Sequence, residues 1–269
     1  MRRVSVIIFL VIILEVFVYF SQAPNKQIPN EDFSNLTFRV DSTKSQYIWA
    51  EPIPLILSLE NKTGKAIKGE VALVFSSGNI RMFVERPDKS VSQIKPLSLI
   101  RGCLGCESTE LIPPYARYQR KEILENSLED FFSTSGEYKI WAELCDKICS
   151  ESNIRSVLSN SITINIKTPQ GTDYEAYKVL KSLPSDPLDK FEKKSIKKYM
   201  QVLEEFVSNY NGTPYGDYVV FELANIYTFR KEYEKALNQL EKISRDFIFI
   251  EKVDEDLKMI DRKLRYPEN

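Results

Sequence analysis

The four cysteines of the chain fall into two closely spaced pairs, whose residue type and spacing suit several kinds of chemistry. Cys103 and Cys106 form the sequence CLGC, and Cys145 and Cys149 form CDKIC further along. Thiolates at this spacing can hold a tetrahedral zinc ion. The same cysteines can instead form two disulfides, or remain as free or redox-active thiols. The redox state of the compartment decides between these alternatives.

The N-terminal segment predicts export. Two arginines precede an almost unbroken apolar run at residues 4–20, which contains one acidic residue. This run is long enough to favour an uncleaved signal-anchor that spans the membrane, with the arginines on the cytoplasmic side. A signal peptide cleaved after Ala23 is the alternative, although Pro24 would then follow the cut. In both cases residues 1–23 are the leader, and the remainder is predicted to be extracytoplasmic, in the periplasm or on the cell surface.

Export bears directly on the cysteines. Thiols outside the cytosol tend to oxidise, so an even number of cysteines favours two disulfides over a zinc site. We expect one of the two connectivities that join segment 103–106 to segment 145–149. Such bridges would close long loops and would therefore restrict the unfolded chain most. No metal and no cofactor is predicted.

Composition argues against several functional classes. The chain has no histidine, which removes the Ser-His-Asp and Cys-His arrangements and the commonest general base. It also lacks the G-x-S-x-G, P-loop and G-x-G-x-x-G sequences. The net charge is −1 with acids and bases interspersed, so no basic surface for nucleic acid is indicated. A Ser-Lys pair or paired carboxylates are the alternatives left for an enzyme, but we predict a protein that has no catalytic residue and binds no nucleic acid.

The predicted extracytoplasmic part divides into two near the sequence KTPQGTD, residues 167–173. Before this point short β-rich segments bounded by turn residues predict strands, and after it longer patterns predict helices. We therefore predict a multidomain chain with a linker at 24–34, a strand domain at 35–168 and a helical domain at 173–266. The predicted strands are 36–40, 53–61, 68–75, 80–86, 137–144 and 161–167.

Three segments of the strand domain resemble immunoglobulin-like domains of bacterial envelope proteins. TSGEYKIWAEL resembles the entry to the F strand, AEPIPLILSLENKTGKAI resembles the second strand, and SNSITINI resembles the closing strand. The resemblance implies an all-β Ig-like sandwich over residues 35–168, in which the Tyr138 hydroxyl forms a tyrosine corner. Residues 97–118, which contain CLGC, would be an inserted loop held down by disulfides.

The helical domain resembles tetratricopeptide repeats. In GDYVVFELANIYTFRKEYEKALNQLEKI, residues 216–243, the small, aromatic and large positions of the repeat are matched by Leu223, Ala224, Tyr227, Tyr233, Ala236 and Leu240. YMQVLEEFVSNYNGTPYGD, residues 199–217, resembles part of a degenerate preceding repeat. The resemblance implies an all-α, TPR-like domain of about five helices with a concave groove.

These inferences lead to an expected function. We expect a non-catalytic interaction or scaffolding protein of the bacterial cell envelope, which binds another envelope protein or a peptide through the TPR-like groove. Glu222, Asn225 and Phe229 are predicted to line that groove, and Asn225 is the strongest candidate because asparagine is a poor helix former. The alternative is an Ig-like sandwich that acts as a proteinase inhibitor or a carbohydrate-binding module while the helices position it.

Overall fold

A computed structural model describes residues 33–94, 109–124, 132, 134–147, 149, 154–183 and 193–266. The strands in these ranges are β1 Leu36–Ser42, β2 Gln46–Ile48, β3 Ile53–Asn61, β4 Ile67–Val71, β5 Ile80–Glu85, β6 Val91–Ile94, β7 Thr109–Ile112, β8 Arg117–Leu124, β9 Gly136–Cys145, β10 Ser156–Leu158 and β11 Ile162–Lys167. The α-helices are α1 Thr172–Lys181, α2 Lys193–Tyr210, α3 Gly216–Phe229, α4 Tyr233–Leu240 and α5 Ile250–Arg265.

The described strands form three sheets. A three-stranded sheet has the order β1-β3-β8, a six-stranded sheet runs β2-β11-β9-β5-β6 with β10 also paired to β9, and β4 pairs with β7. β2 and β11 are parallel, whereas the other described pairs are antiparallel. β9 covers the predicted strand 137–144, and its burial alternates: Tyr138, Ile140, Ala142 and Leu144 are buried, while Lys139, Trp141 and Glu143 are only partly covered. These buried residues join a core that the two larger sheets enclose.

Two polar side chains hold the ends of the strands. The buried amide of Asn61 donates hydrogen bonds to the backbone carbonyls of Lys65, Ile112 and Pro113, and thereby links the turn after β3 to the turn after β7. The hydroxyl of Tyr138 donates to the carbonyl oxygen of Thr134 at 2.7 Å, the backbone contact predicted for this tyrosine. Because buried amides and hydroxyls are costly without partners, both bonds favour these particular turns.

The helices pack against one another and against the strands. Ala224 of α3 and Ala236 of α4 are fully buried, which lets these two helices approach closely. The turn between them is made by Lys231, which adopts a left-handed backbone with φ 62°. The apolar cluster of the helices also includes Ile123 of β8 and contacts Ile48 of β2. The helical and strand parts therefore meet through apolar contacts.

The prediction of a TPR-like helical domain is wrong. The five described helices have 10, 18, 14, 8 and 16 residues, and do not form the matched helix pairs that a repeat requires. The small and aromatic residues that suggested a repeat provide ordinary packing between antiparallel helices. This pattern is not specific, because any close pair of helices needs small residues where the two backbones approach.

The predicted fold class, an all-β Ig-like sandwich followed by an all-α domain, is also wrong. The described chain is a strand-rich mixed fold with three sheets in place of the expected two. Its helices share apolar contacts with the strands. The predicted signal-anchor at residues 4–20 lies outside the described residues. Within the described ranges, no helix combines the length and the apolar character needed to cross a membrane.

Gly216 provides a test of the turn between α2 and α3. A Cβ atom at this position would lie 1.9 Å from the carbonyl oxygen of Asn211, whereas a Cβ at Gly212 would meet nothing within 4 Å. We expect Gly216→Ala to lower the free energy of unfolding by roughly 2 kcal/mol or more, because the backbone must shift to remove the clash. Gly212→Ala in the same turn is the matched control and should change it by less than about 1 kcal/mol. Urea denaturation of both variants measures the difference, and equal effects would contradict the packing described here.

Candidate functional site

An open cleft of about 730 Å³ lies where the helices meet the outer face of the three-stranded sheet. We call it the strand–helix cleft. Its apolar wall consists of Pro54, Ile56, Phe247, Ile248 and Ile250. The strand residues of this wall come from β3, and the others come from the segment before α5 and from its first residue.

Two contacts between the strand and helical parts border the cleft. The buried hydroxyl of Tyr215 donates to the carbonyl oxygen of Trp49 at 2.7 Å, which ties the α2–α3 turn to the segment after β2. The Nζ atom of Lys121 on β8 donates to the carbonyl of Ile248 at 3.2 Å and lies 3.3 Å from a carboxylate oxygen of Glu251. These contacts hold the two sides of the cleft in register.

Asn211 contributes an unused acceptor to the cleft. Its Oδ1 atom is buried and has no hydrogen-bond partner among the described residues. The turn that holds it is fixed by Thr213, whose amide and hydroxyl both donate to the carbonyl of Tyr210. A buried acceptor without a partner is destabilising, so its presence beside a cleft is consistent with a bound donor.

The charged groups in the cleft are partly compensated. The Glu51 carboxylate is 4% exposed and accepts hydrogen bonds from the Lys44 ammonium and from the backbone N–H of Ile48. Burial raises the pKa of Glu51, and both donors oppose that rise. Burial likewise raises the pKa of Asp217, which accepts a bond from the Ser244 N–H. The cleft therefore offers apolar contact and hydrogen bonding with little uncompensated charge.

The described ranges contain no candidate metal-binding site. No group of three or more cysteine, aspartate or glutamate side chains there is arranged to hold a metal ion. Within the cleft, Glu51 is engaged by Lys44, and Asp217 accepts a backbone hydrogen bond. A serine hydroxyl does meet a carboxylate at Ser156 and Glu143, whose oxygen atoms are 2.6 Å apart, but neither residue lines the cleft.

The three predicted partner-binding residues lie on α3, apart from the cleft. Glu222 is half-buried and accepts a hydrogen bond from the Tyr199 hydroxyl at 2.6 Å. Asn225 is exposed, and Phe229 is 73% exposed. Asn225 is seven residues beyond the cleft residue Tyr218, which corresponds to about 10 Å along the helix axis. Binding at these residues stays a prediction, but the described helices do not form the repeat groove on which it was based.

The predicted disulfide connectivity is wrong. Cys145 at the end of β9 is bonded to Cys149, and their Cα atoms are 5.6 Å apart. Cys103 and Cys106 lie outside the described residues. The sequence argument favoured bridges that close long loops, but bond formation requires the Cβ atoms to be close, and the turn after β9 satisfies this locally.

Sequence reasoning missed the residues of the cleft. The turn signal in NYNGTPYGD was visible, but a turn signal does not reveal that Asn211 Oδ1 becomes buried without a partner. Glu51 follows a short strand and carries no sequence pattern that distinguishes it from a surface acid. Both residues gain their character only from burial against the other part of the chain.

The comparisons with known proteins establish no family. No family model and no curated protein matches the chain. Among solved structures, a β-glucosidase from Listeria innocua matches 51% of this chain with 7% identity and a TM-score of 0.29, and the match covers 16% of the enzyme. The CARDB domain of a Pyrococcus furiosus protein matches 50% of this chain and 94% of that domain, with 9% identity and a TM-score of 0.27. An alkylpurine DNA glycosylase from Pseudomonas fluorescens gives a TM-score of 0.29 over 50% of this chain and 31% of that enzyme, at 9% identity. Similarity at this level supports no argument about function.

The pair formed by Lys44 and Glu51 predicts a pH effect. Because the pKa of Glu51 is raised above its ordinary value of 4.5, the folded protein holds this proton more tightly than the unfolded chain does. The contribution of Glu51 to stability is therefore greatest below that ordinary value and declines as the pH rises through the folded-state pKa. Lys44→Met removes a group that lowers the pKa, so we expect a steeper decline and a loss of roughly 1–2 kcal/mol near pH 7.

Urea unfolding of the wild type and Lys44→Met between about pH 4.5 and about pH 7.5 measures this effect. Glu51→Gln in the Lys44→Met background is the control, because it removes the titrating group and should flatten the added pH dependence. A parallel shift of the two stability curves across this range would refute the coupling.

The Cys145–Cys149 bond predicts a simple mass signature. Cleavage after glutamates under non-reducing conditions releases residues 144–151 as one peptide, which should be lighter by its two thiol hydrogens and not linked to Cys103 or Cys106. The double change to alanine should lower the free energy of unfolding by about 2 kcal/mol, because the closed loop is short. A cross-link between this peptide and one containing either of the earlier cysteines would contradict the structure.

Proposed function

We propose that the chain is a non-catalytic, extracytoplasmic binding protein of the cell envelope, which holds a polypeptide segment of another envelope protein in the strand–helix cleft. The observation on which this depends is the buried, unpartnered Oδ1 of Asn211 beside an apolar wall. Asn211 lines the cleft, and a rotation that exposes its amide oxygen would let this atom accept the backbone N–H of a bound peptide, while apolar side chains of the peptide contact the apolar wall.

The form of the cleft supports a polypeptide occupant. It opens to solvent between two parts of the chain and does not enclose a small molecule. Its charged groups include both signs, since Lys121 and Lys242 lie beside Asp217 and Asp246. A highly charged ligand would therefore meet repulsion as well as attraction, whereas a segment of mixed polar and apolar residues would not.

Two observations support the extracytoplasmic location. Residues 4–20 have the composition of an export signal, and Cys145 and Cys149 are joined by a disulfide. Structural disulfides persist mainly in oxidising compartments such as the periplasm or the cell surface. The partner is therefore sought among proteins of the same compartment.

Photo-crosslinking in intact cells tests the cleft as a binding site. A photoreactive amino acid at Asp246, which is exposed and borders the cleft, should give a discrete adduct with a polypeptide. The same amino acid at Asn225, exposed on α3 outside the cleft, should not give that adduct. The reverse pattern would favour the α3 surface over the cleft.

The partner identified in this way allows a matched pair of asparagine substitutions. Asn211→Ala should weaken its binding about three- to tenfold, because one hydrogen bond to the peptide is lost. It should leave the free energy of unfolding unchanged or higher, since the buried acceptor has no partner in the free protein. Asn225→Ala should change neither quantity. Unchanged affinity of Asn211→Ala for the crosslinked partner would refute the role of this residue.

A further inference from the structure

The outer face of the six-stranded sheet displays an aromatic pair. Phe83 of β5 and Trp141 of β9 are direct cross-strand partners, their ring centroids are 5.6 Å apart, and their planes differ by 13°. Their chain neighbours Met82, Val84, Ile140 and Ala142 are fully buried on the opposite face. Side chains alternate along a strand, so Phe83 and Trp141 point away from the core.

Neither ring belongs to a core of the described protein. Both are half-buried, and neither lies in the apolar cluster of the sheets or in that of the helices. The strand–helix cleft lies on the outer face of the three-stranded sheet. Phe83 and Trp141 lie on the outer face of the six-stranded sheet, which is the opposite side of the strand part. A cross-strand aromatic pair contributes to sheet stability. That contribution does not account for the charged and amide side chains that surround Phe83 and Trp141.

The groups around the pair follow the register of the sheet. Next to the aromatic pair on one side, Arg81 faces Glu143 at 3.2 Å, and on the other side Lys139 lies 4.0 Å from Glu85. The Ser156 hydroxyl also donates to Glu143 at 2.6 Å. The two ion pairs are four residues apart along β5, which corresponds to about 13 Å. The aromatic rings therefore lie midway along a row of hydrogen-bonding groups.

An exposed amide completes the central row. Gln93 of β6 is the cross-strand partner of Phe83, so Trp141, Phe83 and Gln93 lie side by side across three strands. Gln93 is exposed. Its amide can both donate and accept hydrogen bonds. The row thus combines two aromatic rings with a neutral polar group that is open to solvent.

We infer that this face is a binding site for a neutral saccharide chain. The apolar C–H face of a pyranose ring packs on aromatic rings, and its hydroxyls form hydrogen bonds with amide, carboxylate and guanidinium groups such as those of Gln93, Glu143 and Arg81. The site is separate from the strand–helix cleft and gives the protein a second ligand of a different chemical class.

The composition of the face favours a neutral sugar over other polymers. Arg81 and Lys139 each have an acidic partner, so the face offers little net attraction for nucleic acid or another polyanion. The face carries one pair of aromatic rings, and its exposed apolar residues Val91 of β6 and Leu158 of β10 stand apart from each other, beside Glu85 and Glu143. A stable protein interface buries about 800 Å² on each partner around a larger apolar centre. A row with an aromatic centre and ion pairs at both ends matches the alternating apolar and hydroxyl surfaces of a sugar chain.

Tryptophan fluorescence of the full chain tests this inference. The chain has two tryptophans, so Trp49→Phe leaves Trp141 as the only tryptophan whose fluorescence is followed. Titration with cellohexaose, maltohexaose and chitohexaose into the millimolar range should give a saturable change for at least one of them. Phe83→Ala should weaken that binding about tenfold or more, as expected when a central aromatic contact is removed. Gln93→Ala should weaken it by a smaller factor.

Matched variants separate binding from folding. Phe229→Ala removes another exposed aromatic ring, on α3, and should leave sugar binding unchanged. Phe83→Tyr preserves a ring and should bind within about threefold of the parent, whereas Phe83→Leu preserves apolar volume and should bind like Phe83→Ala. Absence of a saturable change with all three sugars, or equal binding by Phe83→Leu and its parent, would overturn the inference.

Discussion

The contact between Tyr215 and Trp49 is the constraint on which the arrangement of the strand and helical parts depends. Tyr215 is almost fully buried, and its hydroxyl donates to the Trp49 carbonyl across the junction. Burial, with the nearby carboxylates of Asp173 and Glu51, raises the pKa of this hydroxyl well above its ordinary value, so it remains a donor. The next residue, Gly216, lies against the carbonyl of Asn211 where no side chain fits. The turn that holds Asn211 is therefore fixed at its C-terminal end by the Tyr215 hydrogen bond and by the close approach of Gly216.

The packing of the helical part on the strand part explains why polar atoms at the cleft are buried. Glu51 is buried because the helices cover the segment after β2, and Lys44 compensates its charge from the edge of the cleft. Asn211 Oδ1 is buried by the same packing and has no partner among the described residues. Burial of polar groups reduces stability unless they are compensated. Glu51 is compensated within the chain, whereas Asn211 Oδ1 is not, and the proposed binding function depends on that difference.

The two proposed sites use opposite faces of the strand part for physical reasons. The outer face of the three-stranded sheet is apolar around Pro54 and Ile123, and Ile123 packs into the apolar cluster of the helices at this end of the sheet. The outer face of the six-stranded sheet instead carries ion pairs beside Phe83 and Trp141, and these charged groups resist burial under another apolar element. Packing and solvation therefore place the helices on one sheet and leave the other sheet able to meet a polar ligand.

The sequence by itself determined the local elements of this protein. The strand at 137–144 and the helical pattern within 216–243 follow from short-range periodicity, and the structure has both β9 and the helices α3 and α4 there. The backbone contact of Tyr138, implied by the Ig-like resemblance, is also present. The fold class, the partner of Cys145 and the character of Asn211 were decided only by tertiary structure. A helical pattern of small and aromatic residues specifies that helices pack closely, but it does not specify a repeat array. Likewise, cysteine spacing does not specify which cysteines become neighbours, and residue type does not specify which polar atoms become buried. Segments distant in sequence create both environments.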